Sequence, residues 1–268
     1  MNTENIKLIV CDVDNTLIPQ GESRMSTRNK EALQKAIAKG YKVFVNTGRH
    51  YTFLQPSLFE DLPMDIIGTI NGACVVDHDG KVLQKTPMSL DTMNQITKLC
   101  IDHNLGLGFK FEDAIVCYAN YEKFISYYAQ RPEEKKLVID DSKDRKHHEL
   151  VGTPLGTFII GESEVIEPLK ENFPELKFAW SFRSGYDVFL KSITKANSIE
   201  AVLKMYNMTW DNVIGFGDAG NDTPFIEKSA IGVCMGNSKD DVKDVADIVA
   251  RDCKDDAIAH VLEELGLI

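Results

Sequence analysis

The stretch Ile6-Lys7-Leu8-Ile9-Val10-Cys11-Asp12-Val13-Asp14-Asn15-Thr16-Leu17 sets an apolar run directly before two acids, Asp12 and Asp14. The run reads as a buried strand, and in an extended segment residues two apart share a face, so both carboxylates can point into one pocket at the strand's carboxyl end. Two such charges repel. A bound cation or a shared proton relieves that repulsion, whereas water alone only tolerates it.

The same pattern recurs outward from this stretch. Val43-Phe44-Val45 ends at Asn46-Thr47-Gly48-Arg49, and Ile66-Ile67-Gly68-Thr69-Ile70 ends at Asn71-Gly72. Between the first two apolar runs lies a helical pattern, capped by Ser26 or Thr27, with Leu33, Ala36 and Ile37 on one face and Gly40 at its end. Strands separated by helices imply a parallel sheet, whose ligands collect at the strands' carboxyl ends. The alternation returns after Ile193, with a helix from Lys195 to Tyr206, a strand from Val213 to Phe216 and then Gly217-Asp218-Ala219-Gly220-Asn221-Asp222.

The middle differs. It mixes helices near 91–103, 121–130 and 163–173 with strand-like runs around 106–119, at Thr157-Phe158-Ile159-Ile160 and in two runs before residue 190. This is an α+β module inserted into an α/β core, with expected boundaries 1–85 (core), 86–189 (α+β cap) and 190–268 (core). Phe124, Tyr127 and Tyr128 at helical spacing read as core, Glu133 to Lys136 as a solvated face, and His147-His148 as solvated loop side chains.

Composition narrows the function classes. A chain of 268 residues with 43% hydrophobic content can build a substantial core. Thirty Lys and Arg against 41 Asp and Glu give a net charge of -11, which repels nucleic acid and anionic membranes, so neither is an expected partner. The polar start and the lack of a long apolar run point to a cytoplasmic protein. Six scattered cysteines without CxxC pairs read as buried thiols.

In a parallel sheet Asp12, Asp14, Thr47, Asp218, Asn221 and Asp222 converge at one rim, with Lys195 opening the helix that re-enters the core. Carboxylates, a hydroxyl and an ammonium make a hard-cation site beside an anion site, which suits magnesium and a phosphate. Four segments in this order, Asp12-Val13-Asp14-Asn15-Thr16-Leu17, Asn46-Thr47-Gly48-Arg49, Lys195 and Gly217 to Asp222, resemble the haloacid dehalogenase (HAD) superfamily of phosphotransferases, and more narrowly its Cof-type (type IIB) hydrolases. Asn71-Gly72-Ala73 and the tail Ile231 to Asn237 add to the resemblance, which covers essentially the whole chain. Asn15 stands where the family commonly has glycine, Ala219-Gly220 where it has Gly-Glu, and Ala196 where glycine is frequent; none of these removes a catalytic group.

The resemblance implies a Rossmann-like parallel-sheet HAD core with an inserted α+β cap, and magnesium-dependent hydrolysis of a small phosphorylated metabolite, sugar phosphates first and cofactor phosphates behind them. It implies that Asp12 is the nucleophile, Asp14 the general acid and base, Thr47 a donor to the phosphoryl group and Lys195 its counter-charge. It places the metal on Asp12, the Asp14 carbonyl, Asp218 and Asp222, and the phosphate or substrate near Gly48 and Asn221. Asn71 touches substrate or orders its turn, Arg49 clamps a phosphate or braces its loop, and Arg183 faces the substrate or the surface. A hexose phosphomutase and a non-catalytic phospholigand-binding protein are the alternatives.

Overall fold

The computed structural model describes residues 3–182 and 184–268. Among these the strands are β1 (Leu8–Cys11), β2 (Lys42–Asn46), β3 (Ile66–Thr69), β4 (Cys74–Asp77), β5 (Val82–Lys85), β6 (Gly106–Lys110), β7 (Ile115–Ala119), β8 (Val138–Asp140), β9 (Gly156–Ile160), β10 (Leu176–Phe182), β11 (Gly185–Leu190), β12 (Val213–Gly217), β13 (Ile231–Cys234) and β14 (Ile248–Val249). The chain divides into two compact units, one of Met1–Gly48, Leu54–Leu83 and Thr194–Ile268, the other of Arg49–Phe53 and Gln84–Ile193.

In the first unit the sheet runs in the order β14-β13-β12-β1-β2-β3-β4-β5. From β14 to β3 neighbouring strands are parallel, and β4 returns antiparallel to β3. The α/β fold expected from the alternation is the one observed. Every residue of β1 is buried, as a strand covered on both faces requires, which is why it reads as an unbroken apolar run. Each fully buried Leu, Ile or Val side chain there contributes about 1.5–3 kcal/mol of transfer free energy. Because β1 pairs with β2 on one side and β12 on the other, its carboxyl end is the point where the sheet's strand order reverses, the place where ligands of such sheets bind.

Two of this unit's helices bear on the site. Ser26 caps the helix Thr27–Ala38, its Oγ accepting the Asn29 amide at 3.1 Å. The helix Lys195–Met205 buries Ile199, Val202 and Leu203 in the same core as Leu8, Val10, Phe44 and Val213.

The second unit is built on a six-stranded sheet, β10-β11-β9-β6-β7-β8, antiparallel except where β7 meets β8. The period of two along β7 separates its cores: Val116 and Tyr118 pack with Met93, Ile96 and Cys100 of the helix Leu90–Asp102, while Ile115 and Cys117 pack with Phe124 and Ile125 of the helix Tyr121–Tyr128. Gly108 on β6 permits that second contact, since a Cβ there would lie 2.0 Å from the Phe124 ring. Phe124 stacks on Tyr128 at 5.0 Å; Phe124 is core, as the spacing suggests, while Tyr127 and Tyr128 pack half-buried against it.

The histidine pair departs from expectation. His147 and His148 open a short helix and are half-buried, with His147 Nε2 3.0 Å from Asp113 and His148 Nδ1 3.1 Å from the Tyr118 hydroxyl. The Asp141 carboxylate accepts the Lys146 and His147 amides and folds this polar stretch back, a tertiary effect that its composition does not reveal. All six cysteines are free and buried. Among the described residues no helix is long and apolar enough to cross a membrane.

Candidate active site

Asp12 follows β1, Thr47 follows β2 and Asp218 follows β12, so the parallel sheet delivers all three to one edge. Asp12 is 4% exposed and Asp222 fully buried, and carboxylate oxygens of Asp12, Asp218 and Asp222 lie within 4.8 Å of one another. Lys195 joins them. Its ammonium is hydrogen-bonded to Asp12 Oδ1 and, at 2.6 Å, to Asp222 Oδ1, with its side chain 1% exposed.

Lys195 is the first residue of its helix, where the macrodipole disfavours a cation by about 0.3–1 kcal/mol. Its two carboxylate partners outweigh this. The helix start is itself anchored: Asn46 Nδ2 donates to the Lys195 carbonyl at 2.8 Å, Ser198 Oγ donates to Asn46 Oδ1 at 2.9 Å, and Asn197 Oδ1 accepts the Thr194 amide at 2.7 Å.

Asp222 organises the loop after β12. Its Oδ2 accepts the Asp218 and Ala219 amides, each at 3.0 Å, while Oδ1 takes Lys195. Asp218 remains partly open, its Oδ1 accepting the Thr16 hydroxyl at 3.2 Å. The turn carrying Asp14 uses Asn15 in the left-handed region (φ 63°), closed by Asn15 N–H to the Ile18 carbonyl at 2.8 Å. Asn tolerates that conformation, so the substitution for glycine is accommodated. Asn237, in the tail motif, donates to the Asn15 carbonyl at 3.1 Å and pins the turn from the other side.

Burial sets the electrostatics. It pushes the Asp12 carboxyl well above the usual range, Lys195 pulls it back only in part, and the charges of Asp222, Asp218 and Asp14 add to the rise. Asp218 is raised to about 7, first by burial and then by the Asp222 charge. Burial disfavours the Lys195 charge, yet Asp12 and Asp222 together hold its pKa above the ordinary lysine value. When all are ionised, three carboxylates against one ammonium leave two negative charges in a nearly dry site. An all-oxygen donor set with that excess fits a hard divalent cation.

The expected site residues are distributed as follows. Asp12, Asp218, Asp222 and Lys195 are brought into direct contact or within a few ångströms. Asp14 stands close enough for its charge to act on Asp12 and Asp218, but its side chain is not one of the three clustered carboxylates. Thr47 is buried, its amide donating to the Gly68 carbonyl at 2.9 Å. Asn221 Nδ2 donates to Asn71 Oδ1 at 3.0 Å, and Gly48 lies against that Asn71 carboxamide. Arg49 donates to the Phe53 carbonyl at 3.1 Å, a bracing contact. Arg183 lies outside the described residues. Thr16, Asn46 and Ser198 also support the site, a role that the sequence does not reveal because a hydroxyl or amide beside a strand end gives too weak a signal alone.

A largely parallel α/β sheet with a lysine-braced cluster of three aspartates at its switch point suits a hydrolase that handles phosphoryl groups. The chain belongs to the haloacid dehalogenase-like hydrolases, whose family model matches residues 9–262. Among curated relatives it is 26% identical over 259 residues to the 5-amino-6-(5-phospho-D-ribitylamino)uracil phosphatase YcsE of Bacillus subtilis, covering 96% of this chain and 95% of that protein. It is 25% identical over 270 residues to the pyridoxal phosphate phosphatase YbhA of Escherichia coli, covering 96% and 97%. Its fold matches that of a HAD subclass IIB sugar phosphatase with a TM-score of 0.83 at 24% identity, covering 98% of this chain and all of the other. A HAD-superfamily phosphatase from Bacteroides thetaiotaomicron matches with a TM-score of 0.83 at 22% identity, covering 98% and 96%. The resemblance to Cof-type phosphatases read from the motifs holds, and the protein is a HAD-type phosphatase.

Proposed function

We propose that the protein is a magnesium-dependent phosphomonoesterase of the cytoplasm that hydrolyses small phosphorylated metabolites, with sugar phosphates the leading class, through an aspartyl-phosphate on Asp12. The observation that carries this reading is the Asp12 carboxylate, buried at the switch point and held by Lys195 beside Asp218. Lys195 engages Oδ1, which leaves Oδ2 to attack phosphorus in line with the departing alcohol. As the P–O bond to the alcohol breaks, Asp14 gives its proton to the alkoxide. Asp14, now ionised, takes a proton from water, whose oxygen attacks the phosphoryl group, regenerating Asp12 and releasing inorganic phosphate.

Thr47 donates a hydrogen bond to the transferring group, with Gly48 and Asn221 beside it, and Lys195 offsets its charge. Asp12, the Asp14 carbonyl, Asp218 and Asp222 would hold magnesium, Asp222 acting chiefly by fixing the Asp218 loop. When bound, the ion neutralises the negative charge that would otherwise repel a phosphate dianion. The two curated relatives named above act on small phosphorylated metabolites, which favours the same class here. Net charge -11 disfavours nucleic acid as substrate, and six free thiols suit a reducing compartment.

A screen of sugar phosphates, pyridoxal phosphate and other phosphorylated metabolites, measuring released phosphate with magnesium or with excess chelator, tests the reading. Release that is rapid with magnesium and abolished by chelator supports it. Undiminished turnover in chelator refutes the metal requirement, and isomerised sugar phosphate without free phosphate would make the enzyme a mutase.

A further inference from the structure

The turn that follows β3 has an uncommon backbone. Ile70 and Asn71 both have φ of 53°, and Gly72 follows at 95°, so three consecutive residues occupy the left-handed region. For a β-branched isoleucine this is an outlier, because its Cβ crowds the neighbouring carbonyl. Such strain persists only where surrounding structure over-determines it.

The surroundings do so on three sides. The Asn71 amide donates to the Thr47 carbonyl at 3.1 Å, and its side-chain Oδ1 accepts Asn221 Nδ2 at 3.0 Å. A Cβ at Gly48 would lie 2.9 Å from Asn71 Oδ1, and one at Gly72 would lie 2.0 Å from the Thr194 carbonyl. The turn is therefore wedged among the loop carrying Thr47, the start of the helix carrying Lys195, and the loop carrying Asp218 and Asp222. These segments lie far apart in sequence, and Asn71, 3% exposed, bonds to two of them.

We propose that Asn71 is a positioning residue that locks the Thr47 loop to the Asp218–Asp222 loop, its backbone holding the first and its carboxamide the second through Asn221. The proposal rests on the phosphatase reading above. The strained backbone aims the carboxamide across the rim, and Asn suits both tasks, since it tolerates left-handed geometry and offers an acceptor on a short side chain without adding another negative charge to the rim. Without the carboxamide, the donor on Thr47 and the carboxylates on the neighbouring loop lose their fixed separation, and a displacement of about 1 Å in such a constellation costs about 100-fold in rate.

The test is Asn71→Gly, which keeps the left-handed backbone while removing the carboxamide, alongside Asn221→Ala and the double variant, with para-nitrophenyl phosphate as substrate. The expected result is a fall in kcat of about 10- to 100-fold in each single variant with KM within about twofold. The double variant should be no worse than the poorer single, since both remove one link. Faster amide exchange across residues 217–222 in Asn71→Gly, with the melting temperature held, is the readout that needs no turnover. A raised KM with unchanged kcat would instead make Asn71 a substrate contact, and additive losses would make the two residues independent; either overturns the proposal, as does wild-type exchange across 217–222. Should the wild-type protein hydrolyse no phosphate ester, the phosphatase reading fails, while the exchange measurement still decides whether Asn71 holds the loop.

Discussion

Replacing Lys195 by methionine preserves its length and removes its charge, leaving two buried carboxylates without their shared partner. The ammonium lies 2.6 Å from Asp222 Oδ1 and is bonded also to Asp12, with 1% of its side chain exposed. At an effective dielectric of about 20, a charge pair at this separation is worth roughly 6 kcal/mol gross, and breaking a buried pair from one side costs about 3–5 kcal/mol net. The loss should depend on pH. Burial already raises Asp12, and Lys195 is the group that lowers it, so the variant's Asp12 rises further and holds its proton to higher pH than in the wild type. A folded state that binds more protons than the unfolded chain is most stable at low pH and loses stability as pH rises through the folded-state pKa. Urea unfolding should therefore show a wild-type-to-variant gap of about 3–5 kcal/mol near pH 8 that narrows near pH 5. Turnover should fall by about 100- to 1,000-fold, because Asp12 and the phosphoryl charge both lose their counter-ion. A gap below about 1 kcal/mol, or one equal at both pH values, would refute the argument that Lys195 is bound by two buried charges.

Other outcomes follow from the same geometry. Magnesium should raise the melting temperature of the wild-type protein in scanning calorimetry, and Asp218→Asn, which removes one charge from the carboxylate cluster, should weaken that rise while the apo protein stays folded. With labelled phosphate ester and rapid acid quench, Asp12→Asn should trap no phosphoenzyme, whereas Asp14→Asn should accumulate one with a good leaving group; label on Asp12→Asn at the wild-type level would remove Asp12 from its role. His50 offers a further pH test: burial lowers it to about 4, its Nε2 donates to the Phe111 carbonyl at 2.9 Å and its Nδ1 accepts the Thr52 amide at 3.2 Å. Since the unfolded histidine binds a proton first, this group's stabilisation is complete above about pH 6.5 and is lost as pH falls toward 4, by about 3 kcal/mol in all. His50→Gln should flatten that part of the stability profile measured by denaturant titration.

The sequence by itself settled the alternation of strands and helices, the α/β class and the residue types gathered at strand ends, because each is a local pattern: a period of two or 3.6, a cap, a turn residue, an acid directly after an apolar run. That is why Asp12, Thr47, Lys195 and Asp218 could be singled out without coordinates. The tertiary structure decided what these groups do to one another. Pairing of β1 with both β2 and β12 set Asp12 beside a loop more than 200 residues further along the chain, and no local signal encodes that register. It also gave Lys195 two carboxylate partners, committed Asp222 to the amides of Asp218 and Ala219, and joined Asn71 to Asn221 across 150 positions. His147 and His148 show the same limit, since a charged stretch looks solvated until Asp113 and Tyr118 are brought to it. Periodicity records which face of an element is buried; which distant side chain meets it there depends on packing of the whole chain, and burial at that meeting raises Asp12 and Asp218 above ordinary carboxylates.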